Sequence, residues 1–394
     1  MLFNKKTLAL NCATSLPRRD FLRMMAGAAG IGALPGCLCS DSDKRTYSIA
    51  LLGDTHFDST DPKFYHANYT HSTTEKRYKL HLKEHVRNAK MWAERMPSLI
   101  KASASVATKD TAFILQMGDL VQGDCGNAAV HRKMLSDAFS TIKGFYGGRL
   151  PLAVVVGNHD IRGDIPEDGA LAAYDEWQPP LMTREFNAPI NETTFSFRCG
   201  PDVFIFADFN APRPKLATIK RLLDESANAR WTFLVSHGPV IPSGSSRWFL
   251  YGGSKFDSER RQLRSMLAAR NAIALSGHTH CVEYYDCQMP EGRITQFVAN
   301  SVWSHPEHST PQLIDSGASD YGKRYTATSA KNKTDERHAG LNELVEEYRP
   351  FMKDYQFITA AGHYRLEVSD SLVAVKLFGG ASTTPTQTFV LRQA

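Results

Sequence analysis

The sequence predicts a layered α/β/β/α sandwich, and three observations carry that expectation. Continuous apolar runs of four to six residues, as in strands buried on both faces, alternate with helical periodicity from Tyr47 to Leu275. From Ile294 the pattern turns to apolar–polar alternation, as in half-buried antiparallel strands that would close a second sheet. At 394 residues the chain has ample material for the cores such layers need.

Taken in order, the first 36 residues read as an export signal. Lys5, Lys6 and the run Pro17-Arg18-Arg19-Asp20-Phe21-Leu22-Arg23 make a basic n-region, and Met24 to Leu34 a short, weakly apolar h-region. That stretch is too short and too rich in Gly and Ala to span a bilayer. Arg18-Arg19-x-Phe21-Leu22 resembles the twin-arginine signal, with Pro17 where Ser or Thr is usual. Leu34-Pro35-Gly36-Cys37 resembles a bacterial lipobox with Cys37 as the acylated residue, although Pro35 is an unusual occupant; a plain cleavable signal and a basic amphipathic arm are the alternatives. The expected location is the periplasm, or the outer side of the inner membrane if Cys37 anchors the chain. These 36 residues hold +4 of the formal +5, so the near-neutral remainder gives no argument for nucleic-acid binding.

Residues 37–45 read as a linker and 46–394 as a single domain. Its expected strands are Tyr47–Leu52, Ala112–Met117, Leu152–Val156, Thr194–Arg198, Val203–Ala207, Thr232–Val235 and Ala272–Leu275, then Ile294–Val298, Tyr364–Val368, Val373–Leu377 and Thr388–Leu391. Helical patterns cover Lys83–Val106, Ala128–Phe145, Pro214–Ser226 and Ser258–Arg270, with Pro97 bending or dividing the first. Two segments read as insertions. Phe57–Leu80 (57–80) holds Tyr65, His66, Tyr69, His71 and Tyr78; the polar Trp303–Phe357 (303–357) is expected to wrap the surface. Seven cysteines in so long a chain do not make a disulfide framework. If Cys281 to Cys287 is one strand, the two Cα atoms lie about 20 Å apart. A bridge needs about 7 Å, so free thiols are expected.

Five short motifs follow these strands in a fixed order: Gly53-Asp54-Thr55-His56, Gly118-Asp119, Gly157-Asn158-His159-Asp160, Ser236-His237-Gly238 and Gly277-His278-Thr279-His280. Residues two apart in an extended segment point the same way, so Asp54 projects with His56, and His278 with His280. Strand ends are where open α/β sheets place their sites. Each motif alone has a plainer explanation: a Gly-Asp is usually a turn, and a lone buried histidine usually a satisfied core residue. The ordered set resembles the calcineurin-like metallophosphoesterase superfamily over roughly Tyr47 to Asn300.

That resemblance implies two metal ions. One would be held by Asp54, His56, Asp119 and His280, the other by Asp119, Asn158, His237 and His278, with Asp119 bridging. Oxygen and imidazole donors without thiolate suit Zn, Mn, Fe or Ni. Such a pair, about 3.5–4 Å apart, supplies a metal-bound hydroxide nucleophile for in-line attack on a phosphate ester. His159 would point into the cleft, protonating the leaving oxygen or stabilising charge on it, with Asp160 orienting the ring. His66 and His71 are lesser candidates because their segment leaves the first metal motif, although a solvated loop is the plainer expectation. Trp248, Phe249 and Tyr251 would line a substrate pocket or simply pack, and Arg247 is a candidate phosphate grip. Purple acid phosphatases carry Tyr three residues after the bridging Asp; Gln122 stands here, so no tyrosinate–iron colour is expected. The expected substrate is a phosphorylated small molecule or lipid, monoester or diester, with a phosphodiesterase acting on lipid head groups or nucleotides as the alternative. A non-catalytic metal- or ligand-binding protein on the same fold is a further alternative, against which the complete ligand set argues.

Overall fold

The computed structural model describes residues 44–394 except 62, 164–167, 211–215, 244–248 and 325–339. The export signal, Cys37 and most of the 37–45 linker lie outside the described residues, as do Arg247 and Trp248. The chain runs β1 (Tyr47–Leu52), α1 (Glu75–Glu94), α2 (Met96–Ser105), β2 (Thr111–Gln116), α3 (Ala128–Phe145), β3 (Leu152–Val154), α4 (Ala170–Phe186), β4 (Phe195–Cys199) and β5 (Asp202–Ala207). It continues through α5 (Leu216–Glu225), β6 (Thr232–Ser236), α6 (Asp257–Ala269), β7 (Ile273–Ser276), β8 (Val282–Met289), β9 (Gly292–Val298), β10 (Gln312–Ser316), α7 (Leu341–Tyr348), β11 (Met352–Thr359), β12 (Gly362–Val368), β13 (Leu372–Gly379) and β14 (Gln387–Gln393).

Two mixed sheets result. A six-stranded sheet has the order β14-β13-β12-β1-β2-β3, and an eight-stranded one β10-β11-β8-β9-β7-β6-β5-β4. In the first, β1, β2 and β3 are parallel while β12 runs antiparallel to β1. In the second, β5, β6, β7 and β9 are parallel, with antiparallel strands at both flanks.

Period-two alternation sorts the side chains into layers. On β5, Phe204 and Phe206 enter the core shared with β1 and β2, while Val203, Ile205 and Ala207 face the opposite way. Those three meet Ile219, Leu222, Leu263 and Leu267 of α5 and α6 in a second core. On the far side of the first sheet, Met91, Leu99, Ile100, Met134 and Leu135 of α1, α2 and α3 pack inward. The arrangement is the expected α/β/β/α sandwich.

Several local features differ from the sequence reading. α1 begins at Glu75, inside the segment read as an insertion, because Thr74 caps it by accepting from the Arg77 N–H at 3.2 Å. The helix then divides, as Pro97 predicts: Glu94 ends α1, and Pro97 sits in the first turn of α2, where its missing N–H costs nothing. α4 escaped notice because Pro179 and Pro180 lie inside it. The segment 303–357 does not merely wrap the surface: it supplies β10 and most of β11, which pairs antiparallel with β8. The four described cysteines, Cys125, Cys199, Cys281 and Cys287, are free thiols, in line with the strand geometry.

Candidate metal centre

Each motif leaves the carboxyl end of a parallel strand: Asp54 and His56 after β1, Asp119 after β2, Asn158 to Asp160 after β3, His237 after β6, His278 and His280 after β7. The loops are tied to one another. The Thr55 and His56 amides donate to the Asp119 carbonyl at 3.1 and 2.9 Å, and the Gly277 amide to the His237 carbonyl at 3.0 Å. At Gly157, a Cβ would stand 2.1 Å from the Asp119 nitrogen, so only glycine admits this approach. Four non-glycine residues here have positive φ: His56 (41°), Asp119 (51°), His278 (73°) and His280 (54°). Such conformations cost of order 1–3 kcal/mol each and concentrate at functional sites.

Six of the seven expected ligands, all but Asn158, come together in two groups. Asp54, His56 and His280 form one group whose donor atoms lie within 4.8 Å of each other, and Asp119, His237 and His278 form another. Nε2 of His280 is 3.1 Å from both Asp54 Oδ2 and His56 Nε2. Nε2 of His237 is 3.2 Å from Asp119 Oδ2 and 3.0 Å from His278 Nδ1. His56 Nε2 stands 3.8 Å from the same Asp119 oxygen, so this carboxylate faces both groups. Nitrogens about 2.0–2.1 Å from one metal would sit roughly 3–3.4 Å apart, the spacing of both imidazole pairs. Asn158 Oδ1 is buried without a hydrogen-bond partner, as suits a ligand oxygen. His237 Nδ1 reaches the Met117 carbonyl at 2.8 Å, which fixes the ring and turns Nε2 inward. Phe209, which the sequence did not single out, packs its ring 5.5 and 5.0 Å from the imidazoles of His237 and His278.

The electrostatics suit cations. Burial holds His56 at about 4 and His278 at about 3, so both rings are neutral donors. Burial would also depress His237, but the carboxylates of Asp119 and Asp54 outweigh it and push that ring up to about 9. Burial acts against ionisation of Asp119 too, yet the charge on His237 holds it well below the ordinary carboxylate range. The pocket is built around ionised carboxylates that call for positive charge.

His159 and Asp160 take places that differ in part from the expectation. His159 lies beside the site, its ring 4.4 Å from that of His56, and its amide donates to Asp119 Oδ1 at 2.7 Å. Asp160 does not orient that ring. Its two carboxylate oxygens accept from the Val121 and Gly157 amides at 3.0 and 2.9 Å, locking the turns on either side of Asp119. Buried and close to Asp119, Asp160 is pushed up to about 7. The His159 ring is held instead by the Gln122 carbonyl, 2.9 Å from Nδ1, and by Arg162, whose Nη1 is 3.0 Å from Nε2. A carbonyl can only accept and a guanidinium can only donate. Nδ1 therefore carries the proton and Nε2 the lone pair.

Arg162 belongs to a buried polar block that sequence reasoning missed. Its Nη2 donates to Glu84 at 3.0 Å and to Asp124. Asp124 also faces His81 Nδ1 at 3.2 Å and His85 Nε2 at 3.5 Å. His81, Glu84 and Asp124 have the spacing of a metal site, but the guanidinium already supplies their counter-charge. His66 is no solvated loop residue: it is buried, hydrogen-bonded to Asp58 at 3.0 Å and stacked on His85 at 3.6 Å, whereas His71 is exposed. The available signal was the cation at Arg162, one turn after His159. Phe249 and Tyr251 are buried in the second core and do not line the site.

With this geometry in view, the sequence model of the calcineurin-like phosphoesterase family matches residues 47–282. The chain belongs to that family. It is 24% identical over 191 residues to purple acid phosphatase 3 of Arabidopsis thaliana, covering 44% of this chain. The chain spans about half the length of that curated relative. The solved structure of PhoD superposes with a TM-score of 0.50 at 11% identity, over 89% of this chain and 70% of that one. That of purple acid phosphatase PPD1 from yellow lupin gives 0.49 at 11%, over 89% and 54%. The match to PhoD speaks for the phosphoesterase fold alone.

Proposed function

We propose that this chain is a metal-dependent hydrolase of phosphate esters, working outside the cytoplasm with two divalent cations. The observation that carries the proposal is the carboxylate of Asp119, one oxygen of which faces both the Asp54–His56–His280 group and the His237–His278 pair. Two cations held there would supply Lewis acidity toward a phosphoryl oxygen and a water acidified towards neutral pH. Asp54, His56, Asp119 and His280 would hold one, and Asp119, Asn158, His237 and His278 the other; the donor set suits Zn, Mn, Fe or Ni.

The chain's own residues do the rest. Met117 fixes the His237 ring through its carbonyl, and the backbone amides of Val121 and Gly157 fix Asp160, which in turn holds the loops that aim Asp119. His159, neutral and with its Nε2 engaged by Arg162, has no proton to give from that nitrogen in this arrangement. Of the two roles the family resemblance implies for it, charge stabilisation fits this geometry, with Arg162 as the fixed positive charge behind the ring.

The substrate class is a phosphorylated small molecule. Parallel assays of chromogenic mono- and diesters over a panel of divalent metals test the reading. Hydrolysis that requires added metal and fails in Asp119→Asn supports it; no turnover with any ester and metal would refute it. Location is tested separately, since Arg18→Lys with Arg19→Lys should retain the precursor inside the cell if the twin-arginine route reads the pair.

A further inference from the structure

The outward face of α1 is strongly basic. Six cations (Lys76, Arg77, Lys79, Lys83, Arg87 and Lys90) lie between its terminal acids Glu75 and Glu94. The one acid among them, Glu84, is turned inward onto Arg162. Lys79 and Lys90 pair with Glu75 and Glu94 at the helix ends, so α1 itself places no further carboxylate on its exposed middle turns. The same stretch exposes Leu80, Leu82 and Val86, at 54%, 38% and 59%. Eight large hydrophobics are this exposed among the described residues, and three of them fall within these seven positions. Scattered singly they would need no explanation; gathered among lysines on one helix, they do.

Leu82 and Val86 stand one above the other at i and i+4, with Lys79, Lys83 and Lys90 beside them. A solvated helix face ordinarily interleaves its lysines with glutamates. Here Leu82 and Val86 stand exposed on the same side of the helix as Lys79, Lys83 and Lys90, while Leu80, two positions from Leu82, lies on the opposite flank. The amines complement an anionic surface, and the exposed aliphatics an apolar layer beneath that charge, a pairing that a bilayer of acidic lipid supplies. In a bilayer, aliphatic side chains enter below the level of the head groups while lysine stems extend to place their amines on the phosphates.

We propose that the exposed face of α1 docks the protein peripherally on an anionic lipid surface, with Leu82 and Val86 inserted and Lys76, Lys79, Lys83 and Lys90 on the lipid phosphates. The inner face of this helix braces the metal loops, since the Trp92 indole donates to the Thr55 and His56 carbonyls at 2.9 and 3.0 Å. Docking would thus present the helix that backs the site, without engaging any candidate ligand. The inference does not depend on the hydrolytic reading.

Co-sedimentation of the full chain with phosphatidylcholine vesicles, with and without phosphatidylglycerol, tests it. Each cation brought to an anionic surface strengthens binding about fivefold, so the parent should favour the anionic vesicles and lose that preference at high salt. Lys79→Glu with Lys83→Glu should weaken binding at least tenfold by the same arithmetic. Leu82→Glu with Val86→Glu should also weaken it, while both double variants keep the parent's hydrolysis of a soluble chromogenic ester and its Tm. All proteins share the same N-terminal residues, so the differences report on α1. Equal binding by parent and both variants, or equal binding to both vesicle types, would overturn the proposal. Retention on immobilised polyglutamate without retention on vesicles would assign an acidic protein to the face and overturn it as well.

Discussion

Asp119 and His159, to which the proposal assigns the chemistry, have partners that differ atom by atom. Asp119 Oδ1 takes the His159 amide while Oδ2 faces His237 and His56. His159 is pinned through both nitrogens, by the Gln122 carbonyl and the Arg162 guanidinium. A ring without an Nε2 proton cannot favour poor leaving groups by protonating them. His159→Asn should therefore lose a similar factor on an alkyl and on a nitrophenyl phosphate ester, with metal content near the parent's. A loss confined to the alkyl ester would mean that Arg162 departs and the ring donates. Arg162→Lys keeps a charge between Glu84 and Asp124 but loses the planar fork that reaches His159, so kcat should fall roughly 10–100-fold with KM little changed. Full activity in that variant would reduce Arg162 to a structural ion pair. At this scale the candidate ligands could be singled out in the sequence, because each stands in a short motif. Arg162, Glu84 and Asp124 were not, because their meeting depends on α1 folding back over two loops. Asp160 was misread because two backbone amides, invisible in a sequence, claim its carboxylate.

The elements that matter are the loops leaving β1, β2, β3, β6 and β7, drawn closer together than ordinary side chains allow. Gly157→Ala would drive a Cβ to 2.1 Å from the Asp119 nitrogen and 2.2 Å from its Oδ1. The backbone cannot yield cheaply there, so a loss of about 1–3 kcal/mol or more is expected, together with weaker metal binding. Gly144→Ala, near the end of α3 with nothing within 4 Å of the added carbon, should be neutral or stabilising by about 0.5–1 kcal/mol. Thermal unfolding of both variants checks the contrast; equal losses would remove the steric argument. Strands of continuous apolar residues were legible nearly to the residue, β1 and β5 above all. β11 was not, since its sequence Met-Lys-Asp-Tyr-Gln-Phe-Ile-Thr carries its polar groups on a half-covered face. α4 was hidden by the prolines it tolerates.

Across the whole molecule, two sheets bring loops as far apart in sequence as Asp54 and His280 to one buried centre, and stability should respond to what fills it. In the metal-free protein His237 is raised from 6.5 to about 9. A raised folded-state value stabilises fully below the unfolded pKa and is lost as pH climbs through the folded one. Asp160, raised to about 7, acts in the same direction at lower pH. Chelated protein should therefore lose on the order of 1–3 kcal/mol between pH 6 and 9. Metal-loaded protein, with His237 a neutral ligand, should not, so the gap in Tm should widen with pH. Parallel curves would contradict this. The layered architecture was legible from periodicity alone, whereas the polar block behind the site was not, since no local pattern announces contacts between residues so far apart in sequence.

The most direct test of the dinuclear centre is a metal count. Protein loaded to saturation and freed of excess should retain close to two equivalents, by elemental analysis, and Asp119→Asn should lose occupancy at both positions because its carboxylate serves each group. A folded wild-type protein that binds one ion firmly and never a second would contradict the account.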